Sequence, residues 1–260
     1  MTQALYVYAI APRGELRVPD AEGVDGRRDF AIVEEGDLAA LASRVDAEEF
    51  SQDAIDARAS DLDWIGRIGW RHQQVIAAAR EAGDAIPLGA FALFSSEDAL
   101  RADLRNRSGE LAGVLERIRG REEWTVQVDF EGEKWEAAVE RRSPTLAALA
   151  TEAESAPAGK AYLLRRKAEE ARKNAAREAR DAVVREIEAR VASSLRVPVV
   201  VELRQRPGGT IPQINVLLEK KRADEIGALT GTLEEEYARD GVALRTTGPW
   251  PPYTFVTRTA

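Results

Sequence analysis

A stretch of 37 residues, from Lys160 to Arg196, contains neither glycine nor proline. It predicts one continuous helix, roughly 55 Å long at 1.5 Å per residue. Alanine forms the first half of its apolar face and buries little surface per residue. We therefore expect this helix to pack against a second one, for which residues 144–155 are the candidate. The apolar positions fall three and four residues apart, as on a buried helix face: Leu164, Ala168, Ala171, Ala175, Ala179, Ala182, Val183, Ile187, Val191 and Leu195.

The first 130 residues predict a sheet combined with helices. The opening ALYVYAI is apolar on both faces, which favours a central strand. Residues 38–45 fit a second strand or a short helix equally well. The order of elements favours a sandwich with the sheet on one side and the helices on the other. The remaining predicted elements are strands at 30–33, 87–94 and 123–130, a helix at 54–82, and a helix from Ser95, with Asp98 in the capping-box position, to Gly120.

The rest of the chain predicts a second unit of the same kind. Ser143 and Pro144 are typical of a helix start, for a helix that runs to about Ser155. After the long helix we predict strands at 197–205 and 213–220 joined by the turn RPGGT, a helix at 223–239 and a strand at 242–247.

These elements define the predicted architecture, which is α+β. We expect two ferredoxin-like sheet-plus-helix domains, 1–135 and 136–260. The second domain carries a long, coiled-coil-like helical arm at about 160–196 and ends in a tail rich in proline and aromatic residues.

The composition excludes several classes of protein. The absence of cysteine excludes disulfides, thiolate nucleophiles and cysteine-ligated metals. A formal charge of −8 disfavours a nucleic-acid-binding protein, because such proteins normally present a basic field to phosphates. The sequence has no run of 18 apolar residues and no basic leader, so we expect no membrane helix, no secretory signal and a cytoplasmic location.

The residues offer little for catalysis. His72 is the only histidine, and its helical spacing with Ile68 and Val75 favours a half-buried structural role over that of a general base. Gly159 and Lys160 precede a helix, but the other positions of a phosphate-binding loop are not matched. We therefore expect no catalytic residue, no cofactor and no metal site.

Basic residues are concentrated on the predicted long helix. Residues 160–190 contain ten basic and six acidic side chains, although the whole chain is acidic. Opposite charges four residues apart favour an ordinary solvated helix surface. The excess of basic charge leaves binding of an acidic partner as the alternative. Arg165, Arg166 and Lys167 are the candidate contacts for such a partner.

A second candidate site lies in TGPWPPYTF, residues 247–255. The three prolines fix φ and lack a backbone donor, so we predict an extended segment or a turn and no helix. Trp250, Tyr253 and Phe255 either pack on the protein's own sheet or form a partner-binding surface. If they pack internally, we expect Trp250→Ala to cost about 3 to 5 kcal/mol of stability.

Four stretches carry a resemblance to a known family: LYVYAI at 5–10, PLGAFALFSSEDAL at 87–100, GKAYLLRRK at 159–167 and, most specific of the four, TGPWPPYTFV at 247–256. Together they resemble the gas vesicle protein family L/F, and the resemblance runs from residue 4 to residue 256. This family commonly reads proline-leucine-arginine-phenylalanine-glycine before its Ser-Ser-Glu cap, whereas Gly89, Ala90 and Phe91 occupy the last three of these positions here. If that arginine contributes to a contact, this chain lacks it.

The resemblance implies an accessory or minor structural protein needed to form gas vesicles, the gas-filled protein shells of some prokaryotes. It further implies binding of the small, very hydrophobic major shell protein, prevention of its aggregation before assembly, and contacts with other accessory proteins. The family is described as two-domain α+β proteins with a helical arm and offers no catalytic residues to transfer. Two questions stay open, the oligomeric state and whether the chain is of the F or the L type.

Two other hypotheses remain open from the sequence. One is an enzyme or a ligand-binding module that uses a cleft between the domains, with His72 and nearby carboxylates as acid and base. The other is a scaffold whose 160–196 helix forms a coiled coil with a partner.

Overall fold

The computed structural model describes residues 3–206 and 209–256, with the exception of the side chain of Glu170. Residues up to Glu123 and those from Pro249 onward form one compact unit, and Trp124–Gly248 form a second. The strands are β1 (Gln3–Pro12), β2 (Phe30–Glu35), β3 (Leu38–Asp46), β4 (Ile86–Pro87), β5 (Leu93–Phe94), β6 (Arg121–Phe130), β7 (Val199–Arg206), β8 (Gly209–Glu219) and β9 (Val242–Trp250). The helices are α1 (Gln52–Ala57), α2 (Leu62–Ala82), α3 (Glu97–Asn106), α4 (Ser108–Ile118), α5 (Gly132–Arg142), α6 (Pro144–Ser155), α7 (Ala158–Leu195), α8 (Ala223–Tyr237) and α9 (Tyr253–Val256).

The strand β1 is the centre of the first sheet, as its two apolar faces predict. The sheet has the order β2-β3-β1-β4, with the short β5 also paired to β1, and all these pairings are antiparallel. Residues 38–45, which fitted a strand or a short helix, form the strand β3. A β-bulge between Val7 and Ala9 shifts the register of β1 against β3.

Helices cover both faces of this first sheet, so the expectation of helices on one side only is wrong. The hydroxyl groups of Ser43 on β3 and Tyr8 on β1 share a 2.8 Å hydrogen bond on the face that packs against α2. The next residue, Arg44, points to the opposite face because side chains alternate along a strand. There it pairs with Glu97 at the start of α3, with Nη2 2.9 Å from Oε1. Both layers are needed because β1 is apolar on both faces, with Leu5 and Val7 as buried as Tyr6 and Tyr8.

Two long helices predicted for this unit are each divided. Residues 54–82 belong to α1 and α2, and Asp61 caps α2 by accepting a hydrogen bond from the backbone N–H of Trp64 at 2.9 Å. The helix predicted from Ser95 has its cap one residue later, because the hydroxyl that accepts from the first turn is that of Ser96. It is divided into α3 and α4.

The segment predicted as one strand at 87–94 is interrupted, and only its two ends pair with β1. Between them, Phe91 has φ of +66°, in the left-handed region that disfavours side chains. Its backbone N–H donates to the buried Tyr6 hydroxyl at 3.0 Å, and its ring stacks on Trp64 with 5.7 Å between centroids. These contacts hold a conformation that glycine adopts more easily, and glycine is the residue that the resembling family commonly has at this position.

The second sheet has the order β7-β8-β6-β9. One of its faces packs against α5, α6, α7 and α8 to form a single core. The predicted turn RPGGT between β7 and β8 includes residues that lie outside the described ranges. The helix α5 was absent from the predicted elements, although Trp135, Ala138 and Val139 fall at helical spacing and all three are buried.

The division into units differs from the predicted 1–135 and 136–260. The first stretch of the first unit ends at Glu123, within β6, and its second stretch begins at Pro249. The physical reason is the burial of Pro252 and Phe255 in the first unit's packing. The overall class is α+β with two antiparallel sheets and helices, as expected, while the ferredoxin-like and coiled-coil descriptions stay predictions.

The strained backbone at Phe91 predicts that glycine is more stabilising than alanine at this position, the reverse of the usual order. Both Phe91→Ala and Phe91→Gly remove the ring, but only glycine relieves the left-handed backbone, so we expect the glycine variant to be the more stable by about 1 kcal/mol. The free energy of unfolding in urea measures the difference. The matched control is Ala112→Gly on the exposed face of α4, where glycine should instead cost about 1 kcal/mol. Equal stability of the two Phe91 variants would contradict the backbone strain.

Candidate functional site

The helix α7 extends from Ala158 to Leu195, close to the predicted 160–196, and α6 packs against it as predicted. Only residues 156 and 157 join the two helices, so they form a helical hairpin, which we call the α6–α7 hairpin. Ser143 caps α6 by accepting from the backbone N–H of Leu146 at 3.3 Å. The ion pair of Lys160 with Glu152, at 2.9 Å, closes the hairpin near its turn.

The two halves of α7 have different surroundings. From Ala175 onward its apolar face is buried in the core of the second unit, where Val183 and Ile187 are fully enclosed. In the first half, Leu164, Ala168 and Ala171 are only partly buried, because α6 is their main cover. The first half of the helix therefore lies at the surface.

A groove of about 700 Å³ runs along the surface of the α6–α7 hairpin. Its apolar wall comes from Leu149, from alanines of both helices and from Tyr162, and its polar wall from three arginines and two glutamates of the same helices. Tyr162 is 66 % exposed, and Leu163, the next residue of α7, is 64 % exposed. A large exposed aromatic side chain in a groove, followed on the same helix by an exposed leucine, is typical of a surface that another polypeptide covers. The lining residues are Leu149, Ala150, Ala153, Glu154, Tyr162, Arg165, Arg166, Ala168, Glu169 and Arg172.

The predicted basic contacts lie at this groove. Arg165 and Arg166 line it, and the adjacent Lys167 is exposed on the same helix. Part of the surrounding basic charge is already paired, since Arg172 on α7 bonds to Glu140 on α5. The hydrogen bond from Lys160 holds the pKa of the Glu152 carboxyl below its usual range, so this glutamate stays charged at neutral pH.

The segment of residues 249–256, which we call the tail segment, packs internally on the first unit. Phe255 is buried, and its carbonyl accepts a hydrogen bond from Arg117 at 3.1 Å. The backbone N–H and the hydroxyl of Thr254 donate to the buried carboxylate of Glu123, at 2.9 and 2.7 Å. Trp250 differs from these residues, because 48 % of its surface is exposed.

Two expectations about the tail segment need correction. Residues 253–256 form the short helix α9, because the last proline is Pro252 and each residue after it has a backbone donor. The strand β9 includes Pro249 and continues to Trp250, which precedes the last two prolines. Half-exposed Trp250 cannot provide the internal packing that a cost of about 3 to 5 kcal/mol for its removal would require, so that role falls to Phe255.

Tyr253 connects the tail segment to His72. The Tyr253 hydroxyl accepts a hydrogen bond from the Gln73 side-chain amide at 3.0 Å and lies 3.4 Å from His72 Nε2. Burial raises the pKa of Tyr253 to about 12, so its hydroxyl keeps its proton at every physiological pH.

His72 is a structural histidine, as predicted from its position on α2, but it is fully buried and not half-buried. Nε2 lies 3.1 Å from the carbonyl oxygen of Leu88, which can only accept, so Nε2 carries the proton. Nδ1 then accepts from the Tyr6 hydroxyl at 3.1 Å. Burial lowers the pKa of His72 below its ordinary value of 6.5, which keeps the ring neutral. Since both nitrogens are used and the ring is buried, the geometry does not support a role as general base.

Within residues 3–206 and 209–256, no group of three or more acidic or histidine side chains is arranged to hold a metal ion. The same part of the chain contains no helix that combines the length and the apolar character needed to cross a bilayer.

The structure places the predicted site residues in different environments. Arg165, Arg166 and Lys167 are exposed on the hairpin of the second unit, whereas Tyr253 and Phe255 are engaged in the packing of the first unit. Sequence analysis missed Tyr162 and Leu163. The signal was present, because both are apolar positions off the stripe that α7 buries.

These features define a class of protein: two α+β units, one of which carries an exposed helical hairpin with an apolar and basic groove. The chain belongs to the family described as gas vesicle synthesis protein GvpL/GvpF, whose family model matches residues 4–257. This membership implies a role in gas vesicle formation.

The relatives include proteins of both the L and the F type. Gas vesicle protein L of Streptomyces sp. (strain CB03234) is 28 % identical over 256 residues, which cover 96 % of this chain and 91 % of the relative. Gas vesicle protein F of the same organism is 30 % identical over 257 residues, covering 96 % and 98 %. Gas vesicle protein L2 of Halobacterium salinarum is 33 % identical over 211 residues, covering 76 % and 73 %.

The fold agrees with that of two crystal structures. GvpF from Microcystis aeruginosa superimposes with a TM-score of 0.65 at 14 % identity, over 98 % of this chain and 99 % of that one. GvpF from Anabaena sp. PCC7120 gives a TM-score of 0.64 at 14 % identity, over 99 % and 98 %.

The internal packing of the tail segment predicts unequal effects for substitutions of Phe255 and Trp250. We expect Phe255→Ala to cost about 3 kcal/mol, because it empties a buried site, and Trp250→Ala to cost about 1 kcal/mol or less. Chemical denaturation of the two variants beside the unchanged protein measures both values. A larger loss for Trp250→Ala than for Phe255→Ala would contradict this packing.

The buried neutral His72 predicts a loss of stability in acid. Below about pH 6.5 the unfolded chain binds a proton at His72, which the buried ring of the folded chain binds less readily. The free energy of unfolding therefore falls as the pH drops below about 6.5, and the contribution of His72 is fully present above that pH. The slope should reach at most about 1.4 kcal/mol per pH unit for this one group. The measurement is the free energy of unfolding between pH 8 and pH 5 for the unchanged protein and for His72→Gln. Parallel curves for the two proteins would refute the assignment, because carboxylates contribute equally to both.

Proposed function

We propose that this protein is an accessory or minor structural component of gas vesicle formation that binds the hydrophobic major shell protein and keeps it from aggregating during assembly. It acts in the cytoplasm at the growing vesicle, contacts other accessory proteins there, and binds neither nucleic acid nor membrane. It works by presenting surface to another polypeptide and catalyses no reaction. The observation that carries the proposal is the groove of the α6–α7 hairpin with the exposed Tyr162 in its lining and the exposed Leu163 next to it on α7.

The apolar part of the groove supports binding of an apolar segment. Tyr162 stands exposed in a groove whose lining includes Leu149 and Ala153, and the next residue of α7, Leu163, is exposed as well. Alanine and other small side chains let a partner backbone approach closely, and exposed aromatic side chains are typical of binding hot spots. An aggregation-prone shell subunit has such apolar surface to cover.

The charges at the groove favour a particular arrangement of the partner. Arg165 and Arg166 line the groove, and Lys167 follows them on the same turn of α7, on a chain whose net charge is −8. A locally basic surface on an acidic protein orients a partner whose acidic residues flank an apolar segment, and long-range repulsion disfavours other acidic encounters. The basic residues therefore determine orientation, while the apolar wall contributes the affinity.

Of the six residues first considered for partner contacts, the three in the tail segment are now weak candidates. Tyr253 and Phe255 are occupied by contacts within the first unit, which leaves only part of Trp250 accessible. The hypothesis of a scaffold coiled coil is also weakened, because the strongest apolar stripe of α7, from Val183 to Leu195, is buried in its own unit. The enzyme hypothesis loses support because His72 is buried and both its nitrogens are engaged.

We expect two changes on the hairpin to reduce recovery of the shell protein in co-purification. The double variant Tyr162→Ala/Leu163→Ala removes the exposed apolar contacts and should weaken binding by a factor of ten or more, corresponding to at least about 1.4 kcal/mol. The triple variant Arg165→Glu/Arg166→Glu/Lys167→Glu should weaken binding more strongly at low than at high salt, because exposed charges are screened.

Matched controls come from the exposed face of α2. Leu62 and Trp70 are 80 % and 65 % exposed, and Leu62→Ala/Trp70→Ala removes comparable apolar surface elsewhere. Arg67→Glu reverses an exposed charge on the same helix. If the α2 variants lost the shell protein and the hairpin variants retained it, the binding surface proposed for the hairpin would be wrong. Vesicles that still formed without this chain would contradict the proposed function itself.

A further inference from the structure

The strand β7 forms an edge of the second sheet. The order β7-β8-β6-β9 places it at one end, and among residues 3–206 and 209–256 only β8 pairs with it. Residues 202–206 of this strand are all exposed, and Leu203 is exposed by 67 %. The outer side of an edge strand presents backbone N–H and C=O groups that a further strand can pair with.

The two faces of β7 are chemically different. Leu203 and Val201 lie opposite Pro212 and Ile214 of β8, on the face that the helices cover. Glu202 and Arg204 alternate with them and lie on the other face. On that face the amide of Asn215 donates to the Glu202 carboxylate at 3.0 Å, and Arg206 pairs with Asp129 at 2.6 Å.

From this pattern we infer that β7 pairs with β7 of a second copy of this chain, antiparallel and about a two-fold axis at Leu203. The pairing joins the two four-stranded sheets into one sheet of eight strands. An interface of this kind uses the same surface on both copies and therefore closes as a dimer.

The sequence of β7 is complementary to itself in this register. When Leu203 lies opposite the Leu203 of the second copy, each Glu202 lies opposite an Arg204, and this occurs twice because of the symmetry. Opposite charges in directly facing positions stabilise a pair of strands. The two leucines, exposed in one copy, cover each other and extend the apolar face that lies against the helices.

Neighbouring registers are less favourable, which makes the pairing specific. A two-fold axis at residue 202 places the two Glu202 carboxylates opposite each other, and an axis at residue 204 does the same with the two Arg204 side chains. Like charges in facing positions are destabilising. Only the axis at Leu203 gives two attractive pairs without a repulsive one.

The same charges argue for a second copy as the occupant of this edge. Charged residues on an edge strand usually prevent association, since identical strands with charges of one sign repel each other. In β7 a negative and a positive residue stand at equal distances on the two sides of Leu203, so identical strands attract. The contact involves one strand from each copy and is smaller than a standard interface, so we expect weak and concentration-dependent dimers.

The test is sedimentation equilibrium of the full chain over a concentration series. The unchanged protein should show a monomer–dimer equilibrium. Arg204→Glu and Glu202→Arg each place like charges opposite each other twice, and each should lower the association constant by about ten-fold or more. Mixed in equal amounts, these two variants should associate with each other, because every facing pair between them is again of opposite charge.

Two further variants guard against indirect effects. Leu203→Asp changes only an exposed side chain and places two carboxylates opposite each other on the axis, so it should abolish the dimer without affecting the melting temperature. Arg245→Glu makes the same charge change as Arg204→Glu on β9, the other edge of the sheet, and should leave association unchanged. The inference is overturned if the unchanged protein stays monomeric at every concentration, if Arg204→Glu associates like it, or if the mixture associates no more than its components.

Discussion

Burial of the apolar stripe along the second half of α7 is the interaction on which the second unit depends. Val183, Ile187, Val191 and Leu195 are almost completely buried against the sheet, and each such side chain stabilises the fold by about 1.5 to 3 kcal/mol relative to an exposed position. This contact anchors one half of a 38-residue helix. The other half, with α6 as its main cover, then lies at the surface and forms the groove that we propose for binding.

The longest elements of the fold could be predicted from the strongest local patterns in the sequence. The spacing of aliphatic residues in α7, the apolar faces of β1 and the cap at Ser143 predicted those elements well. Patterns failed where a single residue or a tertiary contact decides the outcome. The left-handed Phe91 interrupts a sequence that reads as one strand, because hydrogen bonding to Tyr6 and stacking on Trp64 outweigh the cost of its backbone. Asp61 divides an otherwise continuous helical pattern by capping the second helix.

Candidate sites were harder to predict than elements because exposure is a tertiary property. Trp250, Tyr253 and Phe255 form one aromatic group in the sequence, yet the structure buries Phe255, engages Tyr253 with Gln73 and leaves half of Trp250 exposed. The basic residues Arg165 and Arg166 could be predicted because the charge of a side chain is known from the sequence alone. Tyr162 and Leu163 became visible only once the buried face of α7 was known.

The return of residues 249–256 to the first unit has a consequence for biosynthesis. The second unit is continuous in sequence, so the ribosome completes it before it adds Phe255 and Thr254, which fill and hydrogen-bond the first unit. A nascent chain that has reached residue 248 therefore contains every residue of the second unit, whereas the first unit still lacks its last buried aromatic side chain. Maturation of the amino-terminal half waits for translation of the carboxy-terminal half, and pausing late in the message would prolong exposure of an incomplete core.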